Sequence, residues 1–279
     1  PDEGVATLFG RIVEPLFAEA RANSEESTIL AEIRDTLLPK LLSGEIRIKD
    51  AEKLVEEAGM SRKTEDLFPA SFEDSALGQI PKGWTIGELG GLVANEIERV
   101  TANHAKDDER YISLDDMPHK SIDLSSFRMG SEVSSGIIRF RKGDILFGSM
   151  RPYFHKVGLA SHNGITRTTT LVLRPRQDHL RHFSLLHFSS DDVVSHSTAA
   201  SVGTTIPYVK WDALSNYNVA EPPPFLLEKF EALCSPLTNR IAVNGEEART
   251  LGKIRDALLP KLLTGEIRIQ NSSRLKARW

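Results

Sequence analysis

The chain has 279 residues, of which 40% are hydrophobic, and a formal net charge of −4 at pH 7. This length and composition predict a globular body with an extended element, and they exclude a disordered or fibrous protein. Cys234 is the only cysteine, which excludes an internal disulfide and a thiolate metal cluster and indicates a reducing compartment. No run approaches the ~20 apolar residues that cross a bilayer, so we expect a cytoplasmic protein without a membrane segment.

One segment occurs twice, once toward each end of the chain. Residues 30–48 read LAEIRDTLLPKLLSGEIRI and residues 251–269 read LGKIRDALLPKLLTGEIRI, with 15 of 19 positions identical at a constant offset of 221. The same register extends upstream without a gap, and it pairs Phe9 with Phe230 and Asn23 with Asn244. The layout therefore indicates two copies of one structural element around an unrepeated middle.

Each copy has apolar side chains at steps of mainly three and four, a narrow stripe of the coiled-coil type. In the second copy the stripe consists of Leu226, Phe230, Leu233, Leu237, Ile241, Ala248, Leu251, Ile254, Leu258 and Leu262. Each copy is predicted to be a helix of about 40 residues, about 60 Å long, with a kink or short break at Pro15 or Pro236 and an end at Gly44 or Gly265.

The middle of the chain alternates short β-prone runs with turn signals. Strands are predicted at 136–140, 144–147, 156–160 and 168–173, with a hairpin turn at residues 142–144, and a helix is predicted over 179–195. A compact domain with its two ends close together favours antiparallel helices around it. The fold class is therefore α+β, a mixed domain with two long helices packed as an antiparallel coiled-coil stalk. The predicted divisions are a first helix at 1–48, a charged linker at 49–75, the mixed domain at 76–224, a second helix at 225–269 and a tail at 270–279.

Positive charge is concentrated in the middle of the domain. Residues 128–181 contain ten Lys and Arg against three Asp and Glu, a net charge of +7. Such a run is either an ordinary solvated face or an electrostatic footprint for the phosphates of a nucleic acid.

Four segments together resemble one family, the specificity (S) subunits of type I restriction-modification systems. They are LGQIPKGW (77–84), KGDILFGSMRPYFHKVGLA (142–160), VGTTIPYVKWDAL (202–214), and PPPF leading into IRDALLPKLLTGEI (254–267). They occur in the family's order and cover nearly the whole chain. The resemblance implies that the mixed domain is a target-recognition domain and that the repeated segments are the family's conserved helical regions.

This resemblance also implies a function in phage defence. A subunit of this kind has no catalytic activity; it reads one half of a bipartite target in double-stranded DNA and holds the methyltransferase subunits, and through them the restriction subunits. The chain itself is expected to bind no cofactor, and S-adenosylmethionine is expected on the methyltransferase. With one domain and two helices, the chain is expected to be either the C-terminal half of a two-domain subunit, cut before Pro1, or a half-length subunit that forms a homodimer.

Seven of the DNA-contacting residues are assigned by their position in the matching segments. Arg167, Thr168 and Thr169 are added because residues 167–170 are predicted to form a second polar loop and the start of a strand. Arg151 is the first choice for a guanine-reading or phosphate-binding side chain, against the alternative of a structural salt bridge beside Pro152. The full set is Ser149, Arg151, Tyr153, Lys156, Arg167, Thr168, Thr169, Thr204, Thr205 and Lys210.

An enzyme is the first alternative. The segment Glu221-Pro222-Pro223-Pro224-Phe225 resembles the Asn/Asp-Pro-Pro-Tyr/Phe motif of amino-methyltransferases, but Glu replaces the short amide or acid and a third proline intervenes. No Gly-rich cofactor loop, Walker loop or paired-His metal motif is present. We therefore expect no catalytic, cofactor or metal site. The two alternatives are a stand-alone DNA-modifying enzyme and a coiled-coil scaffold without DNA contact.

Overall fold

The structure is a computed structural model that describes residues 71–100, 108–130 and 136–266, together with the single helical positions Glu14 and Ala18. The chain divides into two compact units, one of residues 1–86 with 220–223 and one of residues 87–219 with 224–279. The predicted first helix over 1–48 and the helical pattern in the linker lie outside the described residues, apart from those two positions.

The described residues form thirteen strands, five helices and three short 3₁₀ segments. The strands are β1 (Phe72–Ser75), β2 (Gly78–Pro81), β3 (Thr85–Glu88), β4 (Val93–Asn95), β5 (Arg99–Val100), β6 (Arg110–Tyr111), β7 (Arg128–Met129), β8 (Ile137–Phe140), β9 (Ile145–Gly148), β10 (Val157–Leu159), β11 (Gly164–Arg167), β12 (Thr170–Pro175) and β13 (Asn218–Glu221). The helices are α1 (Leu89–Leu92), α2 (Arg181–Phe188), α3 (Asp191–Ala199), α4 (Trp211–Ser215) and α5 (Pro224–Leu263). The 3₁₀ segments are Leu114–Asp116, Pro152–Phe154 and Asp178–Leu180.

In the first unit, β1 and β2 form an antiparallel hairpin in which Ser75 lies opposite Gly78. Gly78 has a φ of +90°, a left-handed conformation that a glycine adopts without strain. The Ser75 hydroxyl closes the turn by donating to the Gly78 carbonyl at 2.7 Å. Ile80 and Trp84, both in the segment 77–84 that carries the family resemblance, are buried.

The second unit contains two larger sheets, with strand orders β10-β9-β12-β4 and β5-β8-β11-β6-β7. The strand pairs are antiparallel except for β11 and β6, which are parallel. One cluster of buried side chains includes Ile138 from β8, Leu146 from β9 and Val172 from β12, so both sheets contribute to one core. Mixed sheets with short helices and one long helix confirm the predicted α+β class.

The predicted hairpin at residues 142–144 is wrong. Four of the predicted strand regions do form strands, but β8 pairs with β5 and β11 while β9 pairs with β10 and β12. The turn itself is present, with Gly143 at φ +90°. Asp144 then points into the protein, where its carboxylate binds Arg174 of β12 at 2.8 Å. The chain therefore passes from one sheet to the other at this turn.

The predicted single helix over 179–195 is also wrong, because the segment forms two helices, α2 and α3. Ser190 separates them and is the N-cap of α3, since its hydroxyl accepts a hydrogen bond from the Val193 backbone N–H at 3.3 Å. Its hydroxyl also donates to the His187 carbonyl at the end of α2, at 2.7 Å. Serine forms such bonds at helix ends, so it favours a break over a continuous helix.

Helix α5 has 40 residues, which confirms the predicted length for the second copy and corresponds to about 60 Å. The helix continues through Pro236 and Pro260, so the short break considered at Pro236 does not occur. Gly265 follows the end of the helix with a φ of +73°, and its N–H reaches the Leu262 carbonyl at 3.3 Å, as predicted. No helix in the described part of the chain has a stretch apolar enough to span a bilayer.

The apolar stripe of α5 is largely open to solvent. Leu226 is buried at the start of the helix and Phe230 and Leu262 are half-buried, whereas most of the other members are exposed. The exposed members are Leu233, Leu237, Ile241, Leu251, Ile254 and Leu258. These six residues define the exposed stripe, and a continuous apolar stripe open to solvent is suited to a contact with another apolar surface.

Candidate nucleic-acid interface

Backbone hydrogen bonds bring three segments of the second unit together: residues 149–154, 167–169 and 202–210. The Arg151 N–H donates to the Pro207 carbonyl at 2.7 Å, and the Ser149 N–H donates to the Thr169 carbonyl at 3.0 Å. A β-bridge joins Met150 to Tyr208. We call the surface formed by these three segments the loop surface.

The first segment is held in an unusual conformation. Arg151 and His155 have φ values of 48° and 49° on either side of the 3₁₀ turn Pro152–Phe154. A left-handed non-glycine residue costs ~1–2 kcal/mol, and such residues concentrate at functional sites. This turn places Tyr153 in solvent with 49% of its surface exposed.

Buried contacts support this conformation. The His155 ring is buried, with Nε2 2.7 Å from the Ser189 carbonyl and Nδ1 3.3 Å from an Asp191 carboxylate oxygen. The Lys120 side chain also donates to Asp191 and lowers the pKa of that carboxyl group, with smaller contributions that include His155. The turn is therefore anchored to the start of α3.

The second segment is the two-residue turn between β11 and β12. Arg167 at the end of β11 and Thr168 in the turn are exposed, and the Thr168 N–H is fixed by the Gly136 carbonyl at 2.9 Å. The predicted polar loop at this position is therefore confirmed as a structural feature, with β12 beginning at Thr170.

The third segment is a tight loop that folds back on itself, with a β-bridge between Val202 and Tyr208. Gly203 lies at φ +93°, which lets the chain reverse at little cost. The residues at the tip of the loop are exposed, and Lys210 at the N-cap of α4 is exposed as well.

The ten predicted residues divide by exposure. Seven have exposed side chains on or beside this surface: Arg151, Tyr153, Arg167, Thr168, Thr204, Thr205 and Lys210. Thr169 is half-buried. Lys156 is half-buried and donates to the Leu114 carbonyl at 2.6 Å. Ser149 is buried and donates to the Thr169 carbonyl at 2.7 Å, so the side chains of Lys156 and Ser149 make internal contacts.

The positive charge of residues 128–181 is mostly paired within the fold. Five of its ten cations contact carboxylates: Arg128, Arg139, Arg141, Arg174 and Arg181. Two more, Lys156 and Arg176, donate to backbone carbonyls. Within the described residues, the side chains of Lys142, Arg151 and Arg167 have no such partner. Two of these three, Arg151 and Arg167, lie on the loop surface, where their side chains are exposed.

Several apolar side chains on the same surface were not predicted. Val202, Ile206 and Tyr208 are 43%, 46% and 41% exposed, beside the predicted Thr204 and Thr205. Their signal in the sequence is the placement of Ile206 and Pro207 inside a polar loop after Gly203. Apolar and aromatic side chains next to free cations are suited to contacts with bases as well as with phosphates. Within the described residues, no group of three or more His, Cys, Asp and Glu side chains is arranged to hold a metal ion.

Comparison with known proteins finds relatives by sequence, although no family model matches the chain. It is 27% identical over 220 residues to the type I restriction enzyme MjaIX specificity subunit of Methanocaldococcus jannaschii, covering 71% of this chain and 48% of that protein. It is 21% identical over 208 residues to the putative type I restriction enzyme MjaX specificity subunit of the same organism, covering 70% and 48%. The chain thus spans about half the length of these curated relatives.

Solved structures give weaker similarities. The HsdS subunit from Thermoanaerobacter tengcongensis matches with a TM-score of 0.48 and 20% identity, covering 66% of this chain and 48% of that one. A chain from a structure on the assembly and conformational transition of the type I R-M system matches with a TM-score of 0.48 and 21% identity, covering 69% and 52%. By sequence, the chain is similar to specificity subunits of type I restriction enzymes over about 70% of its own length.

Proposed function

We propose that this chain is a non-catalytic DNA-recognition subunit of a type I restriction-modification complex, and that it reads one half of a bipartite target. The observation that supports this most directly is the loop surface, where three segments far apart in sequence converge and expose cations, hydroxyl groups and aromatic rings. The sequence relationship to specificity subunits supports the same function.

We assign different tasks to the side chains of this surface. Arg151 and Arg167 are cations of this surface whose side chains have no internal partner among the described residues, and Lys210 is exposed beside them. We assign these three side chains to phosphates or guanine edges. The hydroxyl groups of Thr204 and Thr205 lie at the tip of the third segment, where they reach base edges. Ser149 and Lys156 support the surface through their internal hydrogen bonds.

The exposed stripe of α5 supports a scaffolding role. The first copy repeats the same pattern of apolar residues, so residues 1–48 are the partner that we propose for the stripe, in an antiparallel coiled coil. Such a stalk sets the distance between two DNA readers, because half-site spacing is a geometric quantity. We propose that it also holds the methyltransferase subunit and, through it, the restriction subunit.

The remaining expectations belong to this proposal. The domain divisions are those given by the sequence, with the recognition domain at 76–224 between the two helices. S-adenosylmethionine binds on the methyltransferase, and the complex acts in the cytoplasm. If the chain is a half-length subunit, a homodimer supplies the second DNA reader.

The test uses the full chain co-expressed with the methyltransferase subunit from the same source. Sequencing of methylated bases in the DNA of the expressing cells identifies the target, and fluorescence anisotropy with a labelled duplex of that sequence measures the affinity. Arg151→Ala is expected to weaken binding ~5- to 150-fold, equivalent to ~1–3 kcal/mol. The matched control is Arg141→Ala, since Arg141 is exposed but pairs with Glu98 and lies away from the loop surface.

Other outcomes would change the proposal. Capture of the methyltransferase without sequence-specific DNA binding would indicate a scaffold. Methylation by the isolated chain would indicate a stand-alone enzyme. Equal affinities of the Arg151→Ala and Arg141→Ala complexes would remove Arg151 from the DNA contacts.

A further inference from the structure

The two copies of the repeat differ most along the part of α5 that contacts the domain. From residue 251 to residue 269, 15 of 19 positions match the first copy, but from residue 224 to residue 250 only 6 of 27 match. The six matching residues of α5 are Phe230, Pro236, Leu237, Asn244, Glu246 and Glu247. The contacts of α5 with the rest of the second unit that follow all fall within this less similar stretch.

The first of these contacts joins α5 to the start of α2. His182 is buried, and its ring bridges two side chains of α5: Nδ1 lies 2.6 Å from a Glu231 carboxylate oxygen, and Nε2 lies 2.7 Å from the Thr238 hydroxyl. Glu231 also accepts a hydrogen bond from the Arg181 guanidinium at 2.9 Å. Glu231 and Thr238 therefore both bind the start of α2 through their side chains.

The second contact depends on the absence of a side chain. Gly245 faces the loop at residues 121–125 so closely that a Cβ atom there would lie 2.5 Å from the Ser125 Oγ and 2.6 Å from its Cβ. The loop has little room to move, because Asp123 holds both the Ser125 N–H at 2.9 Å and the Ser125 hydroxyl at 2.7 Å. A glycine at this position lets the helix and the loop touch.

The third contact is a stack of cations on an aromatic ring. The Arg249 guanidinium lies 3.3 Å above the centre of the Phe127 ring, and it also donates to the Phe127 carbonyl at 2.9 Å. Arg110 contacts the same ring at 4.5 Å and forms an ion pair with Glu246 of α5. A cation over an aromatic ring contributes attraction beyond simple burial.

The first copy lacks four of the five α5 residues in these contacts. At the positions equivalent to Glu231, Thr238, Gly245 and Arg249 it has Gly10, Phe17, Ser24 and Thr28, and only Glu246 is retained, as Glu25. Glu231, Thr238 and Gly245 are spaced by seven residues, so they lie on one face of α5. With a rotation of ~100° per residue, this face lies roughly 130° around the helix from the middle of the exposed apolar stripe.

We propose that Glu231, Thr238, Gly245 and Arg249 form a docking face for this domain that the second copy possesses and the first copy lacks. The domain thereby distinguishes two otherwise similar helices and takes α5 as its fixed partner. A second step rests on the proposed function: the docking face fixes the angle between the stalk and the domain, and so the angle at which the loop surface meets DNA.

The docking face is tested in the full chain with two identical substitutions. A glycine inside a helix is less favourable than alanine, and a Cβ at Gly252 meets nothing within 4 Å, so Gly252→Ala is expected to keep or raise the melting temperature. Gly245→Ala is expected to lower the melting temperature by ~5 °C or more, although alanine is the better helix former. Adding Ser125→Gly to Gly245→Ala removes the two nearest atoms. It also releases the Asp123 carboxylate, whose Oδ2 would lie 2.8 Å from the new Cβ and is bound by the Ser125 hydroxyl, so the double variant is expected to recover most of the loss. Equal shifts for the two alanine variants, or no recovery, would overturn the docking face.

A second variant covers the case in which Gly245→Ala does not fold. Arg249→Thr installs the residue of the first copy, and hydrogen exchange is expected to increase in residues 121–127 while β9 and β12 keep their protection. Unchanged exchange in the loop would count against the docking face. With DNA, Arg249→Thr is expected to relax the preference for one spacer length; an unchanged preference would overturn the orientation step. Absence of DNA binding by the wild-type complex would refute the proposed function and leave the melting and exchange results standing.

Discussion

The buried ion pair between Arg174 and Asp144 provides the sharpest prediction about stability. Arg174 of β12 donates to both carboxylate oxygens of Asp144, at 2.9 and 2.8 Å, and to Glu96 at 2.9 Å. The hydrogen bond to Asp144 is the main reason why the pKa of Arg174 is raised. The Asp144 side chain is only 2% exposed, whereas that of Glu96 is 38% exposed. The proposed change is Arg174→Met, which keeps an unbranched apolar stem and removes the charged guanidinium group.

The expected loss comes almost entirely from Asp144. Water replaces the lost contact at the exposed Glu96, so that ion pair contributes at most ~1 kcal/mol. At Asp144 water has no access, and one N–H, from the Arg141 backbone at 2.7 Å, remains to bind the carboxylate. Removal of one partner from a buried pair costs ~3–5 kcal/mol. This is a large part of the ~5–15 kcal/mol that stabilises a typical domain.

Urea unfolding of the full chain, followed by circular dichroism, measures this loss. Arg141→Met is the matched control, because the Arg141 guanidinium is 65% exposed and 3.7 Å from Glu98, so its loss is expected to stay below ~1 kcal/mol. The double variant Arg174→Met with Asp144→Asn removes both charges and is expected to be more stable than Arg174→Met alone. If Arg174→Met and Arg141→Met lose the same free energy, the burial argument is refuted.

Two further predictions concern titratable groups. Burial lowers the pKa of His187 to about 4; the unfolded chain therefore binds a proton near pH 6.5 that the folded chain does not bind until near pH 4, so stability is lost as the pH falls through this window. The loss of stability is at most ~3 kcal/mol, and it is smaller than this limit because the side chain is partly exposed although its Nε2 is buried. The urea midpoint of the wild type is expected to fall between pH 7 and pH 5, whereas the midpoint of His187→Gln should be nearly the same at both. A wild-type midpoint that changes as little as that of the variant would contradict this. Burial also raises the pKa of the Cys234 thiol to about 12, so alkylation by iodoacetamide at pH 8 is expected only after unfolding, and rapid labelling of the folded chain would refute it.

Local sequence patterns predicted the helices and strands of this fold better than they predicted which strands pair with each other. The repeat predicted the length of α5 and the glycine after its end, because helix periodicity and helix stops are local properties. The strands near 137–140 and 145–148 were also predicted. Their assignment to different sheets was not, since it depends on Asp144 reaching Arg174, thirty residues later. The break between α2 and α3 at Ser190 was missed for a similar reason. A serine is recognised as an N-cap only once the ends of the neighbouring helices are known.

The candidate site shows which part of an interface a sequence predicts. The family segments located two of the three segments of the loop surface, 149–154 and 202–210, and the polar run at 167–169 located the third. Neither signal indicated which side chains face solvent. Ser149 and Arg151 are two residues apart, yet their side chains differ in exposure. The Ser149 hydroxyl is buried and donates to a backbone carbonyl, whereas Arg151 has a left-handed backbone and an exposed side chain. The net charge of residues 128–181 overstated the free charge, because acids outside that window, such as Glu96 and Glu231, neutralise it.

The contrast within α5 separates what the two helices share from what each one does alone. Residues 251–263 make none of the domain contacts described above, and Leu251, Ile254 and Leu258 are exposed along them. The copies nevertheless match here at 10 of 13 positions, far more than in the stretch before residue 251. Contact with the domain therefore does not explain their similarity. A surface that is exposed and apolar in α5, and whose sequence occurs twice in the chain, is suited to a contact that occurs twice, either between the copies themselves or with a partner bound to each. The stretch before residue 251 serves the domain instead, and there the copies have diverged.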